Sequence, residues 1–277
     1  MRTELCKPKT ILLPVDLSKH SASAVTLVSS LVRCFQSRVV VLYALEPVEH
    51  PFEEFASGMM ETRPRAEVTR GQLDTFLRRH HVEFPYELRV EEGKPAAVIV
   101  QVAEEIDADL ICMPTRGRGP FRRFLVGSTT AKVLNDAHVP VLTGTHLDDP
   151  ANGQLSQLRS IVCALSLDES GKTALSAAAL LAGGFKARLT VVHAIEKANP
   201  SPGPEVERML RSLDGQVQPE PGIVVSDGDV CRVVEQAAKE QQADLVVIGR
   251  SAPGPLGRLR TNSYAIVRSA PCPVLSV

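Results

Sequence analysis

A chain of 277 residues has the length of two ordinary domains, each large enough to bury about 70% of its unfolded surface. Its 31 Lys and Arg against 32 Asp and Glu leave a formal charge of −1, which argues against a general electrostatic footprint for nucleic acid. No apolar run approaches the ~20 residues of a membrane span and MRTELCKPK lacks the apolar stretch of a secretory leader, so no membrane partner and a cytoplasmic location are expected.

ILLPV (11–15) reads as a first strand leading into a helix from about Ser18 to Phe35, where Ala24, Val28, Leu31, Val32 and Phe35 recur at helical spacing. RVVVLYA (38–44) is a continuous β-branched run, the kind buried on both faces of a parallel sheet. A polar, proline-bounded insertion (47–64) reads as a mobile loop before a helix carrying Leu73, Phe76 and Leu77 and a third strand, YELRVE. Gly93 and Pro95 punctuate the entry to a helix with Ile99, Val102, Ala103 and Ile106 on its inner stripe. DLICM (109–113) is the fourth strand. A Gly- and Arg-rich loop, a helix from about Gly127 to Ala137 and the strand VPVLTGT complete the unit. Alternation at this spacing specifies an α/β fold, a doubly wound parallel sheet with helices on both faces.

The unit then repeats. Asp109, Gly93 and their surroundings recur at Asp244 and Gly228 with one offset of 135 residues, and AHVPVL (137–142) recurs as APCPVL (270–275). TILLPVD and VVVLYALE answer SIVCALS and LTVVHAIE at an offset of 150, so the first copy carries about fifteen extra residues between its second and third strands. The expected organisation is a domain at 1–145, a polar linker at 146–157 and a second domain at 158–277.

Six cysteines show no CxxC pair, with Cys112 and Cys163 inside apolar strands, and His80 and His81 are the only adjoining histidines. Buried reduced thiols and surface histidines are expected, with no metal site. No ordering of Ser, His and Asp and no paired acid is placed for efficient turnover.

Doubly wound sheets bind ligands where the strand order reverses, outside the ends of the first and fourth strands. The first ends in Pro14, Val15 and Asp16; the fourth ends in Met113 and Pro114 and runs into TRGRGPFRRFLVGST, with Arg116, Arg118, Arg122 and Arg123 in an otherwise neutral chain. Small residues before a helix start leave backbone N–H groups facing an anion, and phosphate fits; a solvated connecting loop is the other reading. SLDESGKT (166–173) mimics a P-loop, but Ser166 replaces its first glycine and Asp168 and Glu169 would put carboxylates in the cradle, so a capped helix start is expected there.

These residues resemble the universal stress proteins, whose phosphate pattern is Gly, two residues, Gly, nine residues, then Gly followed by Ser or Thr. Gly117, nine residues and Gly127-Ser128 match it, and PVDLSKHSASA, AHVPVL and APCPVL look like the family's first turn and closing strands. The resemblance implies two five-stranded sheets of order 3-2-1-4-5, with ATP or a related adenine nucleotide, and Mg travelling with it, at the switch point of the first copy. It assigns Asp16 to the adenosine, the backbone around Ala44 to the adenine edge, and Gly117, Gly127, Ser128 and Thr129 to the phosphates. Pro114 departs from the pattern by replacing its first glycine and removing an N–H.

In the second copy Ser166, Ala252 and Arg260-Thr261 stand where Asp16, Gly117 and Gly127-Ser128 stand, leaving Gly249 and the Thr261 hydroxyl, with Gly254 and Gly257 as material for a different cradle. The expected function is nucleotide binding and signalling by the first domain. A ligand-free scaffold and a slow ATP-hydrolysing or phosphate-transferring enzyme on the same fold are the rivals. The resemblance also implies pairing of the two closing strands within the chain, and is compatible with a homodimer of the whole.

Overall fold

A computed structural model describes residues 7–47, 65–115, 126–144, 158–195, 203–213, 220–250 and 261–277. The first half comprises β1 (Thr10–Pro14), α1 (Lys19–Phe35), β2 (Arg38–Leu45), α2 (Arg65–Arg79), β3 (Tyr86–Glu92), α3 (Pro95–Glu105), β4 (Leu110–Pro114), α4 (Ser128–Asp136) and β5 (Val141–Gly144). The second comprises β6 (Ser160–Ala164), α5 (Glu169–Phe185), β7 (Arg188–Ile195), α6 (Gly203–Arg211), β8 (Gly222–Asp227), α7 (Val230–Glu240), β9 (Leu245–Ile248), α8 (Thr261–Ser269) and β10 (Val274–Ser276). The insertion read as a mobile loop falls, from residue 48 onward, outside the described residues.

Each half has the order 3-2-1-4-5, and the fifth strands join them into a single ten-stranded sheet, β3-β2-β1-β4-β5-β10-β9-β6-β7-β8. Every neighbouring pair is parallel except β5 and β10, which run antiparallel with Leu142 opposite Leu275. The Thr143 hydroxyl donates to the carbonyl of Val274 across that junction (3.3 Å).

Alternation along the buried strands feeds two layers. Ile11, Leu13, Ile161 and Cys163 face a cluster built with α1 and α5, while Leu12 and Val162 face one built with α3, α4, α7 and α8. Both layers run through both halves. On the first, α1 and α5 meet at their C-terminal ends, where Phe35 and Phe185 stack edge to face at 5.8 Å. Cys112, Cys163 and Cys272 are buried, and loss of solvation pushes each thiol up to about 12, so none supplies a thiolate at neutral pH.

The repeated residues prove architectural. Asp109 accepts the N–H groups of Lys9 and Thr10 (2.8 and 2.9 Å), and Asp244 accepts those of Arg159 and Ser160 (2.7 and 3.0 Å), tying the start of the fourth strand to the start of the first in each half. Gly93 and Gly228 have φ of 146° and 137°, a backbone region that a side chain would strain, at the turns into α3 and α7.

Gly184→Ala should lower the unfolding free energy by about 1–3 kcal/mol, because the new Cβ would lie 2.9 Å from the Phe35 ring and 3.1 Å from Cys34 Sγ. Gly71→Ala in α2, with nothing within 4 Å of the added carbon, should raise it by about 0.5–1 kcal/mol. Urea unfolding of the two variants measures both, and equal changes would contradict the close crossing of α1 and α5.

Candidate nucleotide site

The strand order reverses between β1 and β4, and the helices that follow them, α1 and α4, pack in opposite core layers. At the β1 end Pro14 and Val15 are buried, and Val15 N–H donates to Leu42 O at 2.9 Å. Asp16 is half-buried: its Oδ1 accepts from Ser18 N–H (3.0 Å) and from the Ser21 hydroxyl (2.6 Å), while its own N–H donates to Ser21 Oγ (3.0 Å). One carboxylate oxygen is therefore committed to fastening the first turn of α1, where Ser18 is the N-cap. Leu17, between them, has φ of 60°, a left-handed conformation that costs a residue with a Cβ about 1–2 kcal/mol. Packing of the Leu17 side chain against the core and the Asp16–Ser21 pair hold it there.

At the β4 end Pro114 aligns with Gly144 of β5, and its missing N–H falls at the last position of the strand, where Thr115 N–H resumes bonding to Gly144 O (3.1 Å). The carbonyl of Pro114 accepts the Thr130 hydroxyl (3.1 Å), which pins the first turn of α4 to the strand. Gly127 is the N-cap of α4; its N–H donates to Thr115 O (2.9 Å), and among the described residues no side chain caps the helix. Its φ of −59° and ψ of 146° are open to any residue, so the backbone does not demand glycine there. The glycine leaves the cap position itself without a side chain, with Ser128 exposed and Thr129 half-buried. Among the described residues no acceptor takes the Ser128 or Thr129 N–H, and these donors lie at the positive end of the helix dipole.

Ala44 is half-buried on β2 beside Glu91 of β3, and Met113 is buried in the core layer shared with α3 and α4. Met113 thus acts through packing. Gly117 and Arg118 lie outside the described residues, as do Arg116, Arg122 and Arg123. No group of three His, Cys, Asp or Glu side chains that could hold a metal occurs among the described residues.

The second half is built differently at the same place. Asp168 Oδ1 accepts from the hydroxyls of Ser166 (2.7 Å) and Ser170 (2.6 Å) and from Gly171 N–H (3.1 Å), so the carboxylate itself caps α5 and occupies the donors a phosphate would need. Lys172 pairs with Glu169 at 2.6 Å, and the P-loop-like SLDESGKT is a capped helix start. A Cβ on Gly249 would lie 2.4 Å from the carbonyl oxygen of Ser170, and one on Gly171 would lie 1.8 Å from that of Ser166. The start of α5 therefore rests directly on the ends of β6 and β9. In the first half Pro114 and Ser21 stand at those two places, and the turn is carried aside through Leu17. Gly254 and Gly257 lie outside the described residues.

The left-handed Leu17 leaves no trace in sequence, since leucine has no preference for it. The paired exchange of Pro114 with Gly249 and of Ser21 with Gly171 is visible once the two copies are aligned.

Residues 7–143 and 157–277 each match the model of the universal stress protein family. The chain belongs to that family. A universal stress protein of Thermus aquaticus is 34% identical over 137 residues, which are 48% of this chain and 96% of that one. One of Synechocystis is 32% identical over 134 residues, 48% of this chain and 83% of its own. Such relatives correspond to one half of this chain, as a duplication requires. The fold of the whole is shared with the crystal structure of a universal stress protein from Archaeoglobus fulgidus, with a TM-score of 0.74 at 20% identity over 99% of this chain and 97% of that one.

Gly171→Ser, which gives the second half the residue of the first, should destabilise the protein by about 1–3 kcal/mol, since the side chain meets the Ser166 carbonyl. Ser21→Ala should cost about 1–3 kcal/mol by removing the acceptor of the Asp16 N–H and one of the donors to its carboxylate. Thermal and urea unfolding of the single variants checks both; a neutral Gly171→Ser would contradict the collapsed turn.

Proposed function

We propose that this universal stress protein binds ATP, or a related adenine nucleotide, in its first half, and that binding rather than turnover is its function, the bound state altering the surface offered to partner proteins. The observation that carries this is the start of α4, where a glycine that the backbone does not require stands at the cap and no described residue accepts the Ser128 or Thr129 N–H. The spacing of Gly117 to Gly127-Ser128 supports it. In this reading Gly117, Gly127, Ser128 and Thr129 hold phosphates, with the Arg118 charge beside them, and the chain between Met113 and Pro114 passes the ribose. The Ala44 backbone meets the adenine edge, and Asp16, beside Pro14 and Val15, reaches the adenosine. Mg accompanies the phosphates, the usual way that ion is held. Residues 1–145 are then the nucleotide-binding domain, 146–157 a linker and 158–277 a degenerate companion.

A ligand-free scaffold is the second reading, favoured by the commitment of Asp16 Oδ1 to the α1 cap and by the N–H that Pro114 lacks.

Calorimetric titration with Mg-ATP tests the choice. The wild type should bind and, at ATP about a hundredfold above its dissociation constant, gain about 2.7 kcal/mol of stability. Gly127→Arg should abolish the heat and the thermal shift while leaving the ligand-free melting temperature unchanged. No heat and no shift for the wild type at millimolar ATP would leave the scaffold reading standing.

A further inference from the structure

One buried cation crosses between the halves. Arg250 follows β9 and is 7% exposed, a position in which a guanidinium needs acceptors for its donors. It finds them in the first half: Nη1 donates to Leu134 O (3.2 Å) and Ala137 O (3.1 Å), and Nη2 donates to Val139 O (2.6 Å). Leu134 and Ala137 are the last turn and C-cap of α4. These are the carbonyls that a helix end leaves without internal partners, at the negative end of its dipole, where a cation is favoured. The Arg250 N–H donates to Val277 O at 2.6 Å, so the backbone that carries the side chain is itself tied to the C-terminus.

The arrangement is one-sided. The residue matching Arg250 in the first half is Thr115, which is 1% exposed and whose hydroxyl has no partner among the described residues. Its short side chain cannot reach across as the arginine does. The α4 helix, nine residues long, is thus held at its start by Thr130 on Pro114 and at its end by the guanidinium of the other half. A short helix fastened at both ends keeps its first N–H groups in one place, and preorganised donors bind an anion without the cost of being ordered by it.

We propose that Arg250 is a positioning residue for phosphate binding: the second half, through this side chain, fixes the helix on which the first half presents its phosphate-facing donors. This rests on the reading of the first half as a nucleotide site. It also gives the second half a task, holding its neighbour's helix, that requires no ligand of its own.

The full-length protein with Arg250→Met and with Arg250→Lys tests the proposal, with ATP and adenosine titrated separately by calorimetry. Arg250→Met should weaken ATP by about tenfold or more and adenosine by less than about twofold, because only the phosphates meet α4. Arg250→Lys, which returns the cation without the fork, should recover part of that loss and provides a folded variant if Arg250→Met is unstable. Equal weakening of both ligands, or weakening of neither, overturns the proposal. Amide hydrogen exchange without ligand gives a readout that stands even if wild-type protein binds no ATP. Exchange at Ala131, Lys132 and Val133 should quicken by about tenfold in Arg250→Met while α8 is unchanged, and unchanged exchange in α4 overturns the clamp.

Discussion

The antiparallel contact of β5 with β10 is the constraint on which the rest of this molecule depends. Each half alone would end its sheet on a short, apolar fifth strand, with Val141 and Leu142 or Val274 and Leu275 beside unpaired backbone groups, the kind of edge that proteins cover or pair. Joining the two edges makes one sheet of ten strands and carries both core layers through both halves. The antiparallel sense also places the end of β9 beside the end of α4. That is why Arg250, a residue at the switch point of the second half, lies under a helix of the first.

The two switch points differ through small exchanges that act together. At Gly249 and Gly171 the absence of side chains lets the start of α5 settle onto the ends of β6 and β9, and Asp168 then fills the helix cap. At Pro114 and Ser21 that approach is blocked. Leu17 turns left-handed and Asp16 binds Ser21, while the start of α4 keeps donors that no described residue accepts. Both halves keep the sheet, and what separates them among the described residues is how closely the helix after the first strand rests on the strand ends. A structural duplicate can drift in this way without harming its fold, because the loops beyond a parallel sheet contribute little to the buried core.

The residues shared by the two copies are the ones that build the frame. Asp109 and Asp244 satisfy the first backbone donors of β1 and β6, and Gly93 and Gly228 supply a left-handed turn. Asp16 and Gly127, by contrast, are replaced by Ser166 and Arg260 in the second half, where Thr261 keeps a hydroxyl at the place of Ser128. Internal comparison of one chain thus sorts the frame from the residues proposed to meet nucleotide.

Hydropathy period, the repeat and the turn residues were sufficient, on sequence alone, for the doubly wound fold and the position of nearly every element. These features depend on neighbours along the chain or on a pattern that must bury one face, and such information is local. The fusion of two five-stranded sheets into one, the left-handed Leu17, the collapse of the second switch point onto Gly249 and the reach of Arg250 into α4 were decided only in three dimensions. Each depends on which groups from distant segments come to lie within a few ångströms, and an arginine following a strand reads the same whether it meets water or the end of another domain's helix. Local chemistry determined the elements of this protein, and packing between its halves determined what those elements face.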